Sequence, residues 1–532
     1  MKSLNGIKFK TNINSIILAV YIFIVWAAYI FKNRSSRAIG LFVFLSIALI
    51  LSLIVSSKIV KAVQKIEINK NNSPELKKRT VFFSFFAISL FVMLLWFWAF
   101  FPGAYPIIDV IWQYKQALEG SYNDWHPFWH TIVFYTFPVK LTGKLYSVVL
   151  FQMIYFSLLI GYMGMVIYKH SSLKISLISI AYILLNPFTG WMLIYPCKDV
   201  GTAITGCLAM IMAMEAYFSR EWAKKWWRLV LLGIMLANTT LFRYNAILFT
   251  LVLAIALLFI LDKKQFFIMF ATFIIFVFII KVPVYKILNV EKPDERVTEM
   301  TGLPLTIIGN VVKESPEKLD QETLNFAYSI APKEDWENFY RCGSFNDLKF
   351  QGFDSTRFNK NVIEEAGIVK VFCMAAKCFK VAPENSLDAL ITLTDVVYST
   401  EYIKGDQDRY IMEFGRINYN IVYKGNVKLA SILKNYKNLI SNTIFRYFRI
   451  LGVALLFMII LIVGKSNFKS FEDWKRIFIC LPIFAYDFGT MLLLSWDNDS
   501  RYFYITFLVV PLVAVIMLRE TKTDNSASCK SQ

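Results

Sequence analysis

Long apolar runs separated by short polar intervals set the architecture of this chain. Runs at 14–31, 39–60, 80–101, 145–168, 172–188, 199–217, 265–283, 447–464, 477–495 and 503–518 are close to the ~20 helical residues that a hydrocarbon core requires. A further run, 229–261, carries Arg243 as its only charge. As one helix it would be about 50 Å long, too long for a single crossing. The pattern therefore predicts a hairpin turning near Asn238 to Asn245. Inside a bilayer the backbone has no water to bond with, and helices satisfy it internally. The expected fold class is an all-α polytopic membrane protein with about twelve transmembrane helices.

The polar intervals divide the chain into four parts. Residues 1–283 form a transmembrane region interrupted by loop 102–144, and 284–446 form a polar insertion. Residues 447–518 return as C-terminal transmembrane helices, and 519–532 are a tail. Segment 127–143 holds His130, Pro138 and Lys140, which makes it a poor span and a plausible interfacial or re-entrant piece. The insertion reads as mostly short helices, with starts at Ser315-Pro316-Glu317 and Asp320 to Glu322. Gly343, Gly352, Gly367 and Pro383 mark its breaks. Residues 426–446 read as amphipathic through Leu429, Ile432, Leu433, Tyr436 and Ile440, and are expected to lie along the membrane surface.

Charge adds orientation. The net charge of +19 is a common mark of nucleic-acid binding, but its location excludes that class. The insertion holds 21 basic and 22 acidic residues, a net of −1. The excess sits between apolar runs, where cytoplasmic loops gather Lys and Arg. Loop 61–79 is the clearest case, with six basic and two acidic residues; 218–228, 262–264 and 465–476 agree. Placing these inside puts both termini in the cytoplasm, and loop 102–144, the insertion and 496–502 on the outer face. Loop 32–38, with Lys32, Arg34 and Arg37, then falls outside, against the rule. The first run is no cleavable signal, since no A-x-A-like exit precedes Phe31-Lys32. Seven cysteines are scattered without zinc-site spacing. Cys342, Cys373 and Cys378 leave room for one outer disulfide, free or buried thiols being the plainer reading.

Within this frame a few polar residues stand where polarity is costly. Asp109 and Gln113 are spaced i, i+4 and share a helix face just beyond Phe101-Pro102-Gly103. Asp124 and His126 follow in the same loop. A carboxylate held at a bilayer surface points to chemistry at the membrane–water boundary. Lys198, Arg243 and Arg501 fall at outer ends of apolar runs, against the prevailing charge bias, with Asp199, Asn245, Asp499 and Tyr502 among their neighbours. Three cations at one level suit a phosphate or another anion. The bland readings are a snorkelling Arg243, a local Lys198–Asp199 pair and a local Asp499–Arg501 pair. Asp487, inside run 477–495, reads as a hydrogen-bonded core group. His130 and His170 read as structural. Trp96, Trp98, Trp125, Trp129, Trp226 and Trp227 read as interface residues, with Trp125 and Trp191 as lesser candidates for stacking on a sugar.

Together these residues resemble the GT-C superfamily of integral-membrane glycosyltransferases. The likeness is to bacterial members whose first outer loop has a P-G pair, a D-x-x-x-Q spacing and D-x-H-P. Here these are Pro102-Gly103, Asp109 to Gln113, and Asp124-Trp125-His126-Pro127. Lys198-Asp199, Phe242-Arg243-Tyr244-Asn245 and Asp499-Ser500-Arg501-Tyr502 are also similar to that group, and Gly302-Leu303-Pro304-Leu305 is a weaker match. The likeness spans roughly 80–518. Val110 follows Asp109, where some relatives have an acidic pair. The resemblance implies a GT-C-like fold and transfer of a sugar from a polyprenyl-phosphate donor to a cell-envelope glycan, lipid or protein acceptor. Asp109 would be the base of an inverting displacement, Gln113, Asp124 and His126 would position base or acceptor, and Lys198, Arg243 and Arg501 would hold the donor phosphate. The expected partners also include the bilayer, and no cofactor or obligatory metal is expected. Two other classes compete: a transporter or flippase of a lipid-linked or anionic solute, and a polysaccharide polymerase or ligase.

Overall fold

The computed structural model of the protein describes residues 12–32, 38–68, 76–104, 108–293, 296–349, 357–397, 424–494 and 500–519. Among these the regular structure is helical, and the extended pairings are isolated bridges. Three long helices open the chain: α1 (Ile13–Lys32), α2 (Ala38–Gln64) and α3 (Lys78–Ala99). The first polar interval then holds α4 (Ile108–Glu119) and a continuous helical segment, α5 (128–142), with a π-turn at Thr131–Thr136. Next come α6 (Tyr146–His170), α7 (Leu173–Leu184), α8 (Pro187–Ile194), α9 (Lys198–Phe218), α10 (Trp226–Phe242) and α11 (Ile247–Leu258). Helix α12 begins at Lys263 and continues to Ile287.

Seven of these helices, counting the C-terminal one, are long and apolar enough to cross a membrane. The bent pair α7–α8 would make an eighth. Asn186 caps Phe188 N–H at 3.0 Å and Pro187 starts α8; a residue before proline avoids the helical region, so the helix is interrupted, and the chain turns by 59° there. The expected count of about twelve is not reached among the described residues: three shorter apolar helices, Trp226–Phe242, Tyr244–Leu258 and Leu451–Lys465, would bring it to eleven. Helices α10 and α11 are apolar but shorter. The break in run 229–261 falls at Arg243, whose backbone is extended. Segment α5 is about 22 Å long at 1.5 Å per residue, below the thickness of the core, and is not among the spans.

The insertion builds α13 (Gly302–Glu314), α14 (Gln321–Ile330), α15 (Lys360–Val381) and α16 (Pro383–Leu393) around its own core, where Trp336, Tyr340 and Phe345 are fully buried. Asp320 caps α14 by accepting from Thr323 N–H at 2.7 Å. Gly343 and Gly367 take positive φ, and Gly367 kinks α15; Gly352 lies outside the described residues. Cys342, Cys373 and Cys378 are free thiols. Helix α17 (Val427–Ser441) packs Leu429 and Leu433 on the transmembrane core, whereas Ile432 is exposed. It leads to α18 (Leu451–Lys465), α19 (Phe471–Gly489) and α20 (Tyr504–Leu518). In α19 the fully buried Asp487 carboxyl accepts from Thr506.

Contacts sort the helix ends into two sets. Asn14 donates to Val463 O and Ser466 O at 2.6 and 2.9 Å, Lys465 donates to Gln64 O at 3.1 Å, and Ile68 N–H donates to Leu518 O at 3.0 Å. The start of α1, the end of α2 and the ends of α18 and α20 therefore lie together. At the opposite end Asn426 N–H bonds Trp98 O at 2.9 Å, and Lys32 Nζ meets Asp395 of the insertion at 2.8 Å. That ion pair accounts for Lys32, which breaks the charge rule: it faces the insertion's carboxylate. Arg34 and Arg37 lie outside the described residues. Helix α9 runs through the centre, buried on nearly every side, and its first turn opens at the insertion's end.

Candidate functional site

The first turn of α9 gathers residues from distant parts of the chain. Lys198 Nζ sits 3.2 Å from Nδ1 of His126. Because Lys198 donates, Nδ1 accepts and the ring proton is on Nε2. Nε2 in turn lies 3.8 Å from Oδ1 of Asp109. Lys198, His126 and Asp109 thus form a line from α9 through the Asp124-Trp125-His126-Pro127 turn to α4. His126 is buried, while the Asp109 side chain keeps 29% exposure, enough to meet a solute.

Charge sets the protonation of this line. Burial would raise the Asp109 carboxyl, but His126, Lys198 and Arg501 outweigh it and hold it below the ordinary carboxylate range. Burial, then the Lys198 charge, pushes the His126 imidazole down to about 3. At neutral pH the imidazole is uncharged, so the cations that keep Asp109 ionised are Lys198 and Arg501. Asp109 is an anion backed by a neutral histidine.

The two arginines reach the same spot from the α10–α11 break and the start of the last helix. Arg243 makes a close ion pair with Asp199, and Arg501 Nε lies 3.8 Å from its other oxygen, a charge contact longer than a hydrogen bond. Asp199 is buried between them. Both guanidinium groups stack on Tyr502, at 4.3 and 5.1 Å from its ring centre. Arg243 Nε donates to Asn245 Oδ1 at 2.7 Å, Asn245 donates to Thr490 at 3.0 Å, and Arg501 donates to the Tyr195 hydroxyl at 2.9 Å. The local Lys198–Asp199 pair therefore does not form: adjacent helix positions point apart, and Asp199 pairs with arginines far away in sequence. Asp499 lies outside the described residues. With Lys198, Arg243 and Arg501 against Asp109 and Asp199, the cluster keeps one net positive charge. From the insertion, Glu299 lies within electrostatic reach of Lys198 and is ion-paired to Lys349, which covers the Trp125 ring at 5.4 Å. The insertion roofs the site.

Gln113 and Asp124 face protein. Gln113 is buried and its amide meets His130 Nδ1 at 3.1 Å and Thr131 Oγ1 at 2.9 Å, tying α4 to α5. Gly201 of α9 permits that packing, because a Cβ there would stand 2.9 Å from Phe134 and 3.0 Å from His130. Asp124 accepts from Phe128 N–H at 3.1 Å, from the Tyr244 hydroxyl and from Lys281 Nζ at 3.0 Å. Lys281 also bonds Tyr244 and Tyr285 at 2.8 and 2.6 Å and lies over both rings. Lys281 ties Asp124 to Tyr244 and Tyr285 within the candidate site, and the sequence reading missed it. It carries the same signal as Lys198, a cation at the outer end of an apolar run, but lies inside run 265–283, where hydropathy hides it. Tyr195, which holds Arg501, gives no sequence signal. Trp191 is 4% exposed, packed on Trp96 and Phe100, and cannot stack on a sugar.

Among the described residues no three His, Cys, Asp or Glu side chains group closely enough to hold a metal ion. In comparison with known proteins, no family model, no curated protein and no solved structure matches the chain.

Proposed function

We propose that this multi-pass membrane protein is a glycosyltransferase of the GT-C kind, with about twelve crossings and both termini in the cytoplasm of a bacterial cell. It would move a sugar from a polyprenyl-phosphate donor to a cell-envelope acceptor on the outer face. The observation that supports this best is the meeting of a partly exposed, ionised Asp109 with Lys198, Arg243 and Arg501, four residues from four elements. An acceptor hydroxyl is a poor nucleophile until its proton is taken. Asp109 takes that proton as the oxygen attacks the anomeric carbon from the face opposite the phosphate. The carbon–phosphate-oxygen bond breaks, and the electron pair leaves on the polyprenyl phosphate, whose charge the cations stabilise. His126 packs beside the base, its Nε2 3.8 Å from the carboxylate, and helps to position it.

Reconstituted protein with a radiolabelled polyprenyl-phosphate hexose and an envelope extract tests the reading. Asp109→Asn lowers transfer by about 10²–10⁴-fold while the protein stays folded. Lys198→Ala and Arg501→Ala each raise the barrier by about 3 kcal/mol, with the loss in donor use. Wild-type transfer by Asp109→Asn would end the assignment. One observation favours a second reading, a transporter or flippase: the span α7–α8 is broken, and discontinuous helices are a transporter device. Donor movement across a vesicle without any transfer would select it. A polymerase or ligase would transfer a whole chain, which the size of the labelled product reveals.

A further inference from the structure

On the outer side of α4 a groove of about 530 Å³ runs from Trp112 to the turn at Gly120 and across to Leu288–Glu291. It contains none of the cations of the cluster described above. Its walls are built, since Glu291 N–H bonds Tyr122 O at 2.9 Å, Asp124 N–H bonds Glu291 O at 2.8 Å, and Asn123 N–H bonds the Gln116 side chain at 3.2 Å. Trp112 is 46% exposed and lies among hydrogen-bonding side chains: Gln116, Glu119, Asn123, Asn289 and Glu291. A lipid tail would leave those groups unpaired, at a cost. An anionic ligand would meet Glu119 and Glu291 with only Lys115, itself 3.8 Å from Glu119, to attract it. An uncharged polyhydroxyl ligand suits both parts, because a sugar has an apolar face for the indole and hydroxyls for the amides and carboxylates.

We infer that this groove is the binding site of a neutral oligosaccharide, and, resting on the reading above, the acceptor subsite. Helix α4 is then the shared wall of two sites. Trp112 stands one turn from Asp109, so a saccharide on the indole brings a terminal hydroxyl toward the base. The donor phosphate approaches the same carboxylate from the α9 side, where Lys198 and Arg501 sit. One helix presents the nucleophile and the proton acceptor, and the cations take the leaving group.

Saturation-transfer NMR on the full-length protein in nanodiscs tests this without turnover. The probes are chitotriose, cellotriose, maltotriose and mannotriose, with sialyllactose as the acidic control. At least one neutral probe shows transfer to its ring protons. Trp112→Ala weakens that binding by about tenfold, and Glu119→Gln also weakens it. Both replaced groove side chains are exposed, so neither variant is expected to unfold. No signal from any neutral probe, a preference for the acidic control, or unchanged binding by both groove variants would overturn the groove. Such a result, alongside Asp109-dependent sugar transfer, would leave the glycosyltransferase reading standing. Intact neutral-probe binding with no transfer would do the reverse.

Discussion

At the residue scale the site depends on His126 being neutral. A histidine whose folded-state pKa is depressed weakens the fold in acid. As pH falls through about 6.5 the unfolded chain takes up a proton that the folded chain refuses. His126 is pushed to about 3 by burial and Lys198, and His130 is held well below its ordinary value by burial, Lys198 and His126. Each therefore removes up to about 1.4 kcal/mol of stability per pH unit below about 6.5. Asp109 works in another window. Its depressed carboxyl contributes stability above the ordinary carboxylate range, lost only as pH falls through its lower folded value. The thermal midpoint in detergent should fall between pH 7.5 and 5, and His126→Asn should make that slope shallower. Parallel melting curves for the two proteins would show that His126 is not buried neutral. Since Asp109 is ionised throughout, transfer should have no acid limb near neutrality.

At the element scale the site depends on how closely α4, α5 and the first turn of α9 approach. Gly201→Ala places a methyl 2.9 Å from Phe134 and 3.0 Å from His130, inside packing with no room to yield. Overpacking of this sort costs about 1–3 kcal/mol. The same displacement loosens Gln113 from His130 and lets α4 move, so Asp109 drifts from the cations. The variant should melt lower and lose activity together, while Gly143→Ala, where an added Cβ meets nothing within 4 Å, should keep full activity at some cost in turn strain. Much of this level was legible in the sequence. Apolar length placed most helices because a bilayer allows the backbone few alternatives, and the misplaced cations, expensive where they stand, are ones that the fold brings together. Pairing was not legible. A local pair with Lys198 was one reading of Asp199, and only the fold shows Arg243 and Arg501 arriving from far along the chain. Gln113 shared a face with Asp109 as the spacing required, yet a shared face does not determine which residue points inward.

At the scale of the whole molecule, contacts sort the ends of the helices, and the proposal that the insertion's end is outside rests on the charge bias. The start of α1, the 465–476 interval and the end of α20 lie together; α4, the first turn of α9, Lys32 and the insertion lie at the other end. Cys373 is an exposed free thiol of the insertion and serves as a natural reporter. In intact cells a membrane-impermeant maleimide should label Cys373, and Cys373→Ala should abolish that labelling. With Cys373→Ala as background, Lys469→Cys should label only after the membrane is opened. The opposite pattern would turn the molecule over and place Asp109 and the three cations on the cytoplasmic side. Sugar nucleotides are then the available donors, and they need no site at a lipid boundary. Orientation and the proposed chemistry are therefore tested together, because the proposed polyprenyl-phosphate donor would keep its leaving phosphate anchored in the leaflet beside the cations.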